Sequence, residues 1–354
     1  MPTPVEPLHL GVLGAGAIGC WVGGMLAADA AVTLVGRPRV HDPIRESGLT
    51  VESPEERPRL VPPDRLHLTT DVRDLVDAQV VLLCVKSRDT APAVANAASH
   101  LRPGAIVVSL QNGLHNPERA REALAAQGVS AHVLAGMVPF NVARTGPSTY
   151  RRATSGGILV EDDARAEPLV AAAQRSGLPL ATHPDLPGIQ RAKLLMNMSN
   201  AVNALCGLPL RDQFADRDLR KVVAVCQEEG LRVLEAAGTP PARIGRLGTR
   251  DMIRVLRLPT PLFALLAKAQ LRIDPAATSS MSDDLDAGRP TEVDELQGEV
   301  VQLGQRHGIP TPACAAVVAL VHDAERRGSG DRPRWSGPDL LAAVAGGAAG
   351  GPPA

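Results

Sequence analysis

The sequence predicts an α/β fold: a doubly wound parallel sheet in the N-terminal half, followed by an all-helical C-terminal domain. Three observations carry this. In the first half, short β-branched or apolar runs alternate with helical stretches, the pattern of βαβ units. One run, Val80–Val85 (VVLLCV), is apolar almost throughout, as a strand covered on both faces of a parallel sheet must be. From about Pro184 the strand signals almost vanish and long helical periods take over. We therefore expect a sheet domain over residues 1–185 and a helical domain over 186–327. A flexible, loosely ordered Gly/Pro/Ala-rich tail is expected over 328–354.

In chain order, Val5–Leu13 reads as a strand, Ala17–Ala28 as a helix and Val32–Val35 as a second strand. Gly48–Thr69 is proline-rich and irregular, with short strand-like pieces. Val80–Val85 and Ile106–Leu110 are strands, with a helix over Ala91–Ser99 between them. A helix over Asn116–Ala126 and a strand over Val133–Phe140 follow. Gly157–Val160 and Pro179–Thr182 are strands flanking a helix at Ala164–Ser176. The helical half contains Ile189–Cys206, stopped by Gly207, then Asp216–Ala237, Pro261–Lys268, Met281–Ala287, Thr291–His307 and Pro312–Arg327. The last opens on Thr311-Pro312, a capping residue followed by a proline whose missing N–H costs nothing in the first turn.

Composition excludes several classes. The 354 residues correspond to about two domains. Lys+Arg 37 against Asp+Glu 38 gives net charge −1, without the basic excess of a nucleic-acid binder. Three Phe, two Trp and one Tyr leave little for stacking on bases. Cys20, Cys84, Cys206, Cys226 and Cys314 are widely spaced with no CxxC, and no histidine pair has ligand spacing, so neither a disulfide framework nor a metal site is expected. Residues Leu10 to Ala28 carry no charge, but the five glycines from Gly11 to Gly23 argue against a membrane span. The N-terminus lacks the basic region of a signal peptide. A cytoplasmic protein with no membrane or nucleic-acid partner is expected.

Gly14-Ala15-Gly16-Ala17-Ile18-Gly19 fits GxGxxG and lies between a strand and a helix, the setting of a Rossmann-type dinucleotide site. Gly14 is expected to allow the tight turn. Gly16 would keep the pyrophosphate's path clear, and Gly19 would let helix and strand pack closely. The second strand ends in Arg37, with Arg39 beyond it, where an NAD site usually places a carboxylate. A guanidinium there suits a 2′-phosphate, so NADP(H) is the expected cofactor. Lys86 and Asn112 end the next two strands and should face the same ligand, although Asn112-Gly113 also fits an ordinary turn.

In the first long helix, Leu194, Leu195, Met198, Ala201, Val202 and Leu205 share one broad apolar face. Lys193, Asn197 and Asn200 (i, i+4, i+7) line the opposite side. One lysine with neutral amides suits a partly buried polar surface better than a solvated face, which would carry charges of both signs. Downstream lie Ser279-Ser280-Met281 and Thr291-Glu292-Val293-Asp294. By local pattern Thr291 can cap a helix and Glu292 is a solvated charge.

Taken together, these motifs resemble the ketopantoate reductase (2-dehydropantoate 2-reductase) family, from about Leu8 to His322. The resemblance rests on Gly14–Gly19, Cys84-Val85-Lys86, Leu110-Gln111-Asn112-Gly113, Lys193-Leu194-Leu195-Met196-Asn197, Ser279-Ser280-Met281, Thr291-Glu292-Val293-Asp294 and Gly308-Ile309-Pro310-Thr311-Pro312. It implies a Rossmann domain packed on a helical domain with substrate between them. NADPH would reduce ketopantoate, a small 2-keto acid, to (R)-pantoate in pantothenate biosynthesis. It places the family's catalytic lysine on Lys193 and its active-site glutamate on Glu292. The cofactor-contacting lysine falls on Lys86, the nicotinamide-side asparagine on Asn112, and the substrate-binding residues on Asn197 and Ser280. It thereby overrides the solvated reading of Glu292. One departure stands out: Ala201 occupies a position where the family often has a second asparagine, and Asn200 lies beside it. Two other readings stay open at this point: a related NADP-dependent dehydrogenase for another 2-keto or β-hydroxy acid, and a non-catalytic NADPH-binding sensor. A homodimer is compatible with the resemblance.

Overall fold

The computed structural model describes residues 7–245, 248–267, 277–328 and 330–346. The chain divides into two compact units, Met1–Leu186 and Pro187–Ala354.

In the first unit the elements run β1 (His9–Leu13), α1 (Ala17–Leu26), β2 (Ala31–Val35), α2 (Pro38–Ser47), β3 (Leu49–Ser53), β4 (Glu56–Val61), β5 (Leu66–Thr69), β6 (Val80–Leu83) and α3 (Thr90–Ala98). They continue with β7 (Ile106–Ser109), α4 (Asn116–Ala126), β8 (His132–Met137), β9 (Val142–Arg144), β10 (Thr149–Arg152), β11 (Ile158–Glu161), α5 (Glu167–Ser176) and β12 (Leu180–His183). The main sheet has the order β12-β11-β8-β7-β6-β1-β2-β5. From β8 to β5 every pairing is parallel, while β11 runs antiparallel to β8. From β1 the chain moves out to β2 and β5, then returns to β6 on the other side of β1. The strand order therefore reverses beside β1, the place where doubly wound sheets hold ligands at their carboxyl ends. Leu13 is level with Val35 of β2 and with Leu83 of β6, so those ends stand together.

The unbroken apolar character of β6 now has its reason. Val80 and Leu82 join Leu10, Val12, Leu34 and Trp21 in one core. Val81 and Leu83 join Leu13, Val94, Val107 and Leu124 in another, on the opposite face of the sheet. The short strand-like pieces expected in residues 48–69 are a hairpin (β3, β4) and a strand (β5), more regular than that reading, and α2 precedes them. The hairpin belongs to a second sheet of order β4-β3-β10-β9. Trp21 of α1 anchors that sheet, donating Nε1–H to the Glu52 carbonyl at 2.9 Å and meeting Phe140 edge-on at 5.1 Å. The Arg152 guanidinium lies over both rings.

The helical half runs α6 (Leu186–Asn197), α7 (Ser199–Cys206), α8 (Leu210–Ala215), α9 (Arg217–Ala236), α10 (Thr249–Arg257), α11 (Thr260–Leu266) and α12 (Ser280–Asp286), then α13 (Glu299–His307), α14 (Pro312–Arg327) and α15 (Gly337–Ala345). The 20-residue α9 is capped by Asp216, which accepts from the Asp218 and Leu219 amides. Three expectations are corrected here. The single helix over Ile189–Cys206 is two helices, interrupted at Met198. Thr291–His307 opens on a π-helical turn, Asp294–Gly298, ahead of α13. Thr311 makes no side-chain cap for α14; the buried Glu229 carboxylate of α9 takes the Ala313 and Cys314 amides instead, at 2.9 and 2.8 Å.

The flexible tail expected over 328–354 is also corrected, as far as Gly346. Trp335 is buried and donates its amide to the Leu205 carbonyl, and Ser336 caps α15. The helix then buries Leu340, Ala343 and Val344. Residues 347–354 lie outside the described residues. Among the described residues all five cysteines are free thiols. No helix there is long and apolar enough to cross a membrane.

Candidate active site

In the first unit, the three glycines of the loop after β1 meet three different demands. Gly14 has φ +110°, a conformation side chains disfavour, and a Cβ there would stand 2.7 Å from the Val85 amide nitrogen. At Gly16 a Cβ would meet nothing within 4 Å, so the space beside it is open. Gly16 also begins α1 without any side-chain cap, which leaves the first-turn N–H groups for an anion. At Gly19 a Cβ would fall 2.2 Å from the Gly14 carbonyl oxygen and 2.9 Å from Val12. The Gly19→Ala variant is accordingly expected to lose about 1–3 kcal/mol of stability. Its dinucleotide affinity should fall too, since the loop must move; a thermal melt and a fluorescence titration check both.

The same loop reaches β2. The Gly14 and Ala15 amides both donate to the Val35 carbonyl, at 3.1 and 2.9 Å. At Gly36 a Cβ would lie 2.4 Å from that of Ala15, so the step before Arg37 is pressed against the loop. Arg37 and Arg39 are exposed and make no side-chain hydrogen bond or ion pair among the described residues. Two guanidinium groups without a carboxylate partner, beside a glycine loop, fit a phosphorylated ribose.

Lys86 and Asn112 each lie three residues beyond the end of neighbouring strands, β6 and β7, and a buried polar network behind them joins the two segments. The Ser87 hydroxyl donates to the Asn112 carbonyl at 3.1 Å, and the Asn116 amide donates to the Ser87 hydroxyl at 3.0 Å. Thr90 donates to Asn116 Oδ1 at 3.0 Å. The Gln111 amide donates to Thr90 at 2.7 Å and to the Val85 carbonyl at 2.8 Å, and Ser109 donates to Gln111 Oε1. Gln111-Asn112-Gly113 is therefore more than a turn: Gln111 points inward and ties down the backbone on which Lys86 and Asn112 are mounted. Sequence reasoning missed Ser87, Thr90 and Asn116, whose only signal is that they are polar at helix starts.

In the second unit, Leu194, Leu195, Met198, Ala201, Val202 and Leu205 are all buried, as the periodicity requires. Lys193, Asn197 and Asn200 are half-buried. Burial brings the Lys193 ammonium down from the usual 10.5 to about 8, and the Glu292 carboxylate opposes that fall. Glu292 is half-buried and acts on Lys193 across nearly a hundred residues of sequence. Ser280 is the half-buried first residue of α12. Its neighbour Ser279 is buried and holds that start in place. The Ser279 hydroxyl donates to the Asn200 carbonyl at 3.1 Å, and its amide donates to Asn203 Oδ1 at 2.8 Å. Lys193 is thus brought to Glu292, and Asn200 to the Ser279–Ser280 step. Asn203, fully buried on α7, is the tie that holds Ser279 to that helix.

Comparison with known proteins decides the family. The family model "Ketopantoate reductase PanE/ApbA" matches residues 10–164, and "Ketopantoate reductase PanE/ApbA C terminal" matches residues 185–325. The chain belongs to the ketopantoate reductase family. It is 34% identical over 327 residues to a 2-dehydropantoate 2-reductase of Halobacterium salinarum, covering 90% of this chain and 99% of that one. It superposes on a PanE/ApbA family ketopantoate reductase from Ralstonia eutropha with TM-score 0.76 and 30% identity, covering 90% and 99% of the two chains. A D-mandelate dehydrogenase solved with NADH and anilino(oxo)acetate shares the fold at TM-score 0.72 and 20% identity, covering 90% and 99%.

As a ketopantoate reductase family member, the protein is a nicotinamide-dinucleotide oxidoreductase with a Rossmann-like N-terminal unit and a helical C-terminal region. Ala201 is fully buried, so in this chain that position serves the core of the helical unit. Asn200, one residue earlier, keeps a half-exposed place beside the Ser279–Ser280 step.

Proposed function

We propose that this enzyme reduces 2-dehydropantoate to (R)-pantoate with NADPH, and that Lys193 is its proton donor. The observation that supports this most strongly is the half-buried Lys193, lowered by burial to about 8 and under the influence of Glu292. When bound, the cofactor supplies the hydride that goes to the keto carbon. Gly14, Ala15, Gly16, Ala17, Ile18 and Gly19 would cradle its pyrophosphate, Arg37 its 2′-phosphate, and Lys86 and Asn112 its nicotinamide end. Lys193 Nζ holds a proton for the keto oxygen, whose negative charge it stabilises as that charge develops. A lysine at about 8 is still mostly protonated at neutral pH, yet gives up its proton more readily than one at 10.5. Glu292 favours the charged form of Lys193. Asn197 and Asn200 orient the substrate by neutral hydrogen bonds, and Ser280 binds its carboxylate. The five free thiols fit a reducing, cytoplasmic setting.

The test is NADPH oxidation with 2-dehydropantoate beside a panel of other 2-keto acids. The highest kcat/KM should belong to 2-dehydropantoate. The buried Ala201 favours a second reading, in which the pocket prefers another 2-keto acid and a different member of the panel wins. Binding of NADPH with no turnover on any of them would overturn both. For the cofactor, Arg37→Ala should reduce the preference for NADPH over NADH by about tenfold, the order expected for one charge-assisted pair. An unchanged ratio of the two kcat/KM values removes Arg37 from the account.

A further inference from the structure

The break between α6 and α7 falls directly after Asn197, and no proline or glycine causes it. Three glutamine side chains from three other elements add hydrogen bonds to carbonyls on either side of this break. Gln227 of α9 donates to the Leu195 carbonyl at 3.0 Å. Gln213 of α8 donates to that of Ser199 at 3.2 Å. Gln297 of the π-helical turn donates to that of Met198 at 2.8 Å.

Gln297 differs from the other two in what its element carries. It lies five residues beyond Glu292, as Met198 lies five residues beyond Lys193. The π-turn is closed by the Gly298 amide reaching back to the Val293 carbonyl at 3.0 Å, and it buries Leu296 and Gln297 side by side. Gln297 is completely buried, and its own Oε1 has no hydrogen-bond partner. An apolar side chain of equal size would avoid that penalty, so the amide's retained contribution is the bond to Met198. Wide π-turns of this kind are frequent at functional sites. Asp294, in the first turn with Glu295, is engaged by His322 at 3.2 Å, and Glu292 is the carboxylate that acts on Lys193.

We propose that Gln297 is a positioning residue for the reaction: its bond to the Met198 carbonyl ties the segment carrying Glu292 to the helix carrying Lys193 and Asn197, and so sets the distance between the two charged groups. This rests on the reading of Lys193 as proton donor for its importance, but its test does not. The full-length protein is acetylated with acetic anhydride from about pH 6 to about pH 11, a range spanning free and perturbed lysines. Mass spectrometry of the Lys193 peptide then gives the midpoint of its titration directly.

In Gln297→Met the bond is lost and Glu292 is free to move off. The midpoint should fall by about half a unit or more, because the carboxylate's support for the ammonium weakens. The alkaline limb of kcat/KM should follow it, with kcat about tenfold lower and KM for NADPH unchanged. Gln213→Met is the matched control: it loses the same kind of buried bond but from α8, which carries no charged partner of Lys193. It should lower the melting temperature comparably and leave the Lys193 midpoint in place. If Gln297→Met does not fold, Gln297→Asn keeps the amide one methylene short of Met198 and gives the same readout. An unmoved midpoint in the Gln297 variants, or an equal shift in Gln213→Met, overturns the proposal. A midpoint that moves while the alkaline limb of the rate stays fixed upholds the positioning role and overturns Lys193 as proton donor.

Discussion

Replacing Lys193 by methionine is expected to lower kcat for keto-acid reduction by about 10²–10⁴-fold, the range for loss of a positioned general acid. Methionine matches the apolar stem and stops one atom short, where the ammonium stood, so α6 should still pack through Leu194 and Leu195, which are buried on its other side. Dinucleotide affinity should hold, because the glycine loop, Arg37 and Lys86 belong to the first unit. The loss should therefore appear in kcat and in kcat/KM alike, the pattern of an interaction made chiefly in the transition state. The wild-type pH profile supplies the companion test. Burial favours the neutral amine, so the protonated fraction declines as pH rises through about 8. The reduction rate should fall along the same limb, and oxidation of the hydroxy acid, which needs the unprotonated amine, should rise along it. Near-normal turnover by Lys193→Met, with no alkaline limb near 8 in the wild type, would remove the lysine from the chemistry.

What was legible in the sequence was what depends on neighbours in sequence. The glycine loop is one case: the positive φ of Gly14 belongs to its own turn and Gly19 packs on Gly14 and Val12, although the contact of Gly14 with Val85 is long-range. The apolar face of residues 194–205 is another, because it follows from helical periodicity alone. The illegible parts are long-range. The break at Met198 sits in Leu-Met-Asn-Met-Ser-Asn, which contains no helix breaker, and it is stabilised by amides from residues 213, 227 and 297. The parallel pairing of β10 with β3 joins segments about a hundred residues apart. Helix α2 was hidden by Pro38 and Pro43, although the first sits harmlessly in its opening turn. The C-terminal segment read as a flexible tail because it is rich in Gly, Pro and Ala, Gly337-Pro338 among them. With Ser336 as cap, the same pair opens a helix that buries Leu340 and Val344. Composition described the residues correctly there but not the surface waiting for them.

The second large effect is one of stability, at Arg220. Its side chain is completely buried on α9, yet every N–H direction has an acceptor. Nε–H donates to the Leu256 carbonyl at 3.1 Å. One terminal nitrogen donates to the Phe214 and Ala215 carbonyls at 2.7 and 3.1 Å. The other donates to the Leu258 carbonyl at 2.9 Å and to the Thr260 hydroxyl at 3.3 Å. The Phe263 ring lies beneath the guanidinium at 4.3 Å, and Phe263 itself stacks on Phe214. One planar cation thus gathers the end of α8, the end of α10 and the start of α11. These are helix ends, where the last carbonyls lack intrahelical donors. Burial works against the charge, and the nearby Asp216 carboxylate works for it. In Arg220→Met the half-buried Phe214, Leu256 and Leu258 carbonyls lose this donor, while that of Ala215 keeps the Thr260 hydroxyl at 3.4 Å. At about 1–3 kcal/mol for each that finds no water, the variant should lose about 3–5 kcal/mol. That is a large share of the 5–15 kcal/mol typical of a folded domain, roughly. Arg220→Lys should recover only a minor part, since an ammonium has three donors in a tetrahedral spread and cannot reproduce the planar fork. Urea unfolding of the full-length protein measures both. A loss below about 1 kcal/mol in Arg220→Met would mean that water or local collapse supplies these carbonyls, and that the guanidinium is not the tie that the hydrogen bonds describe.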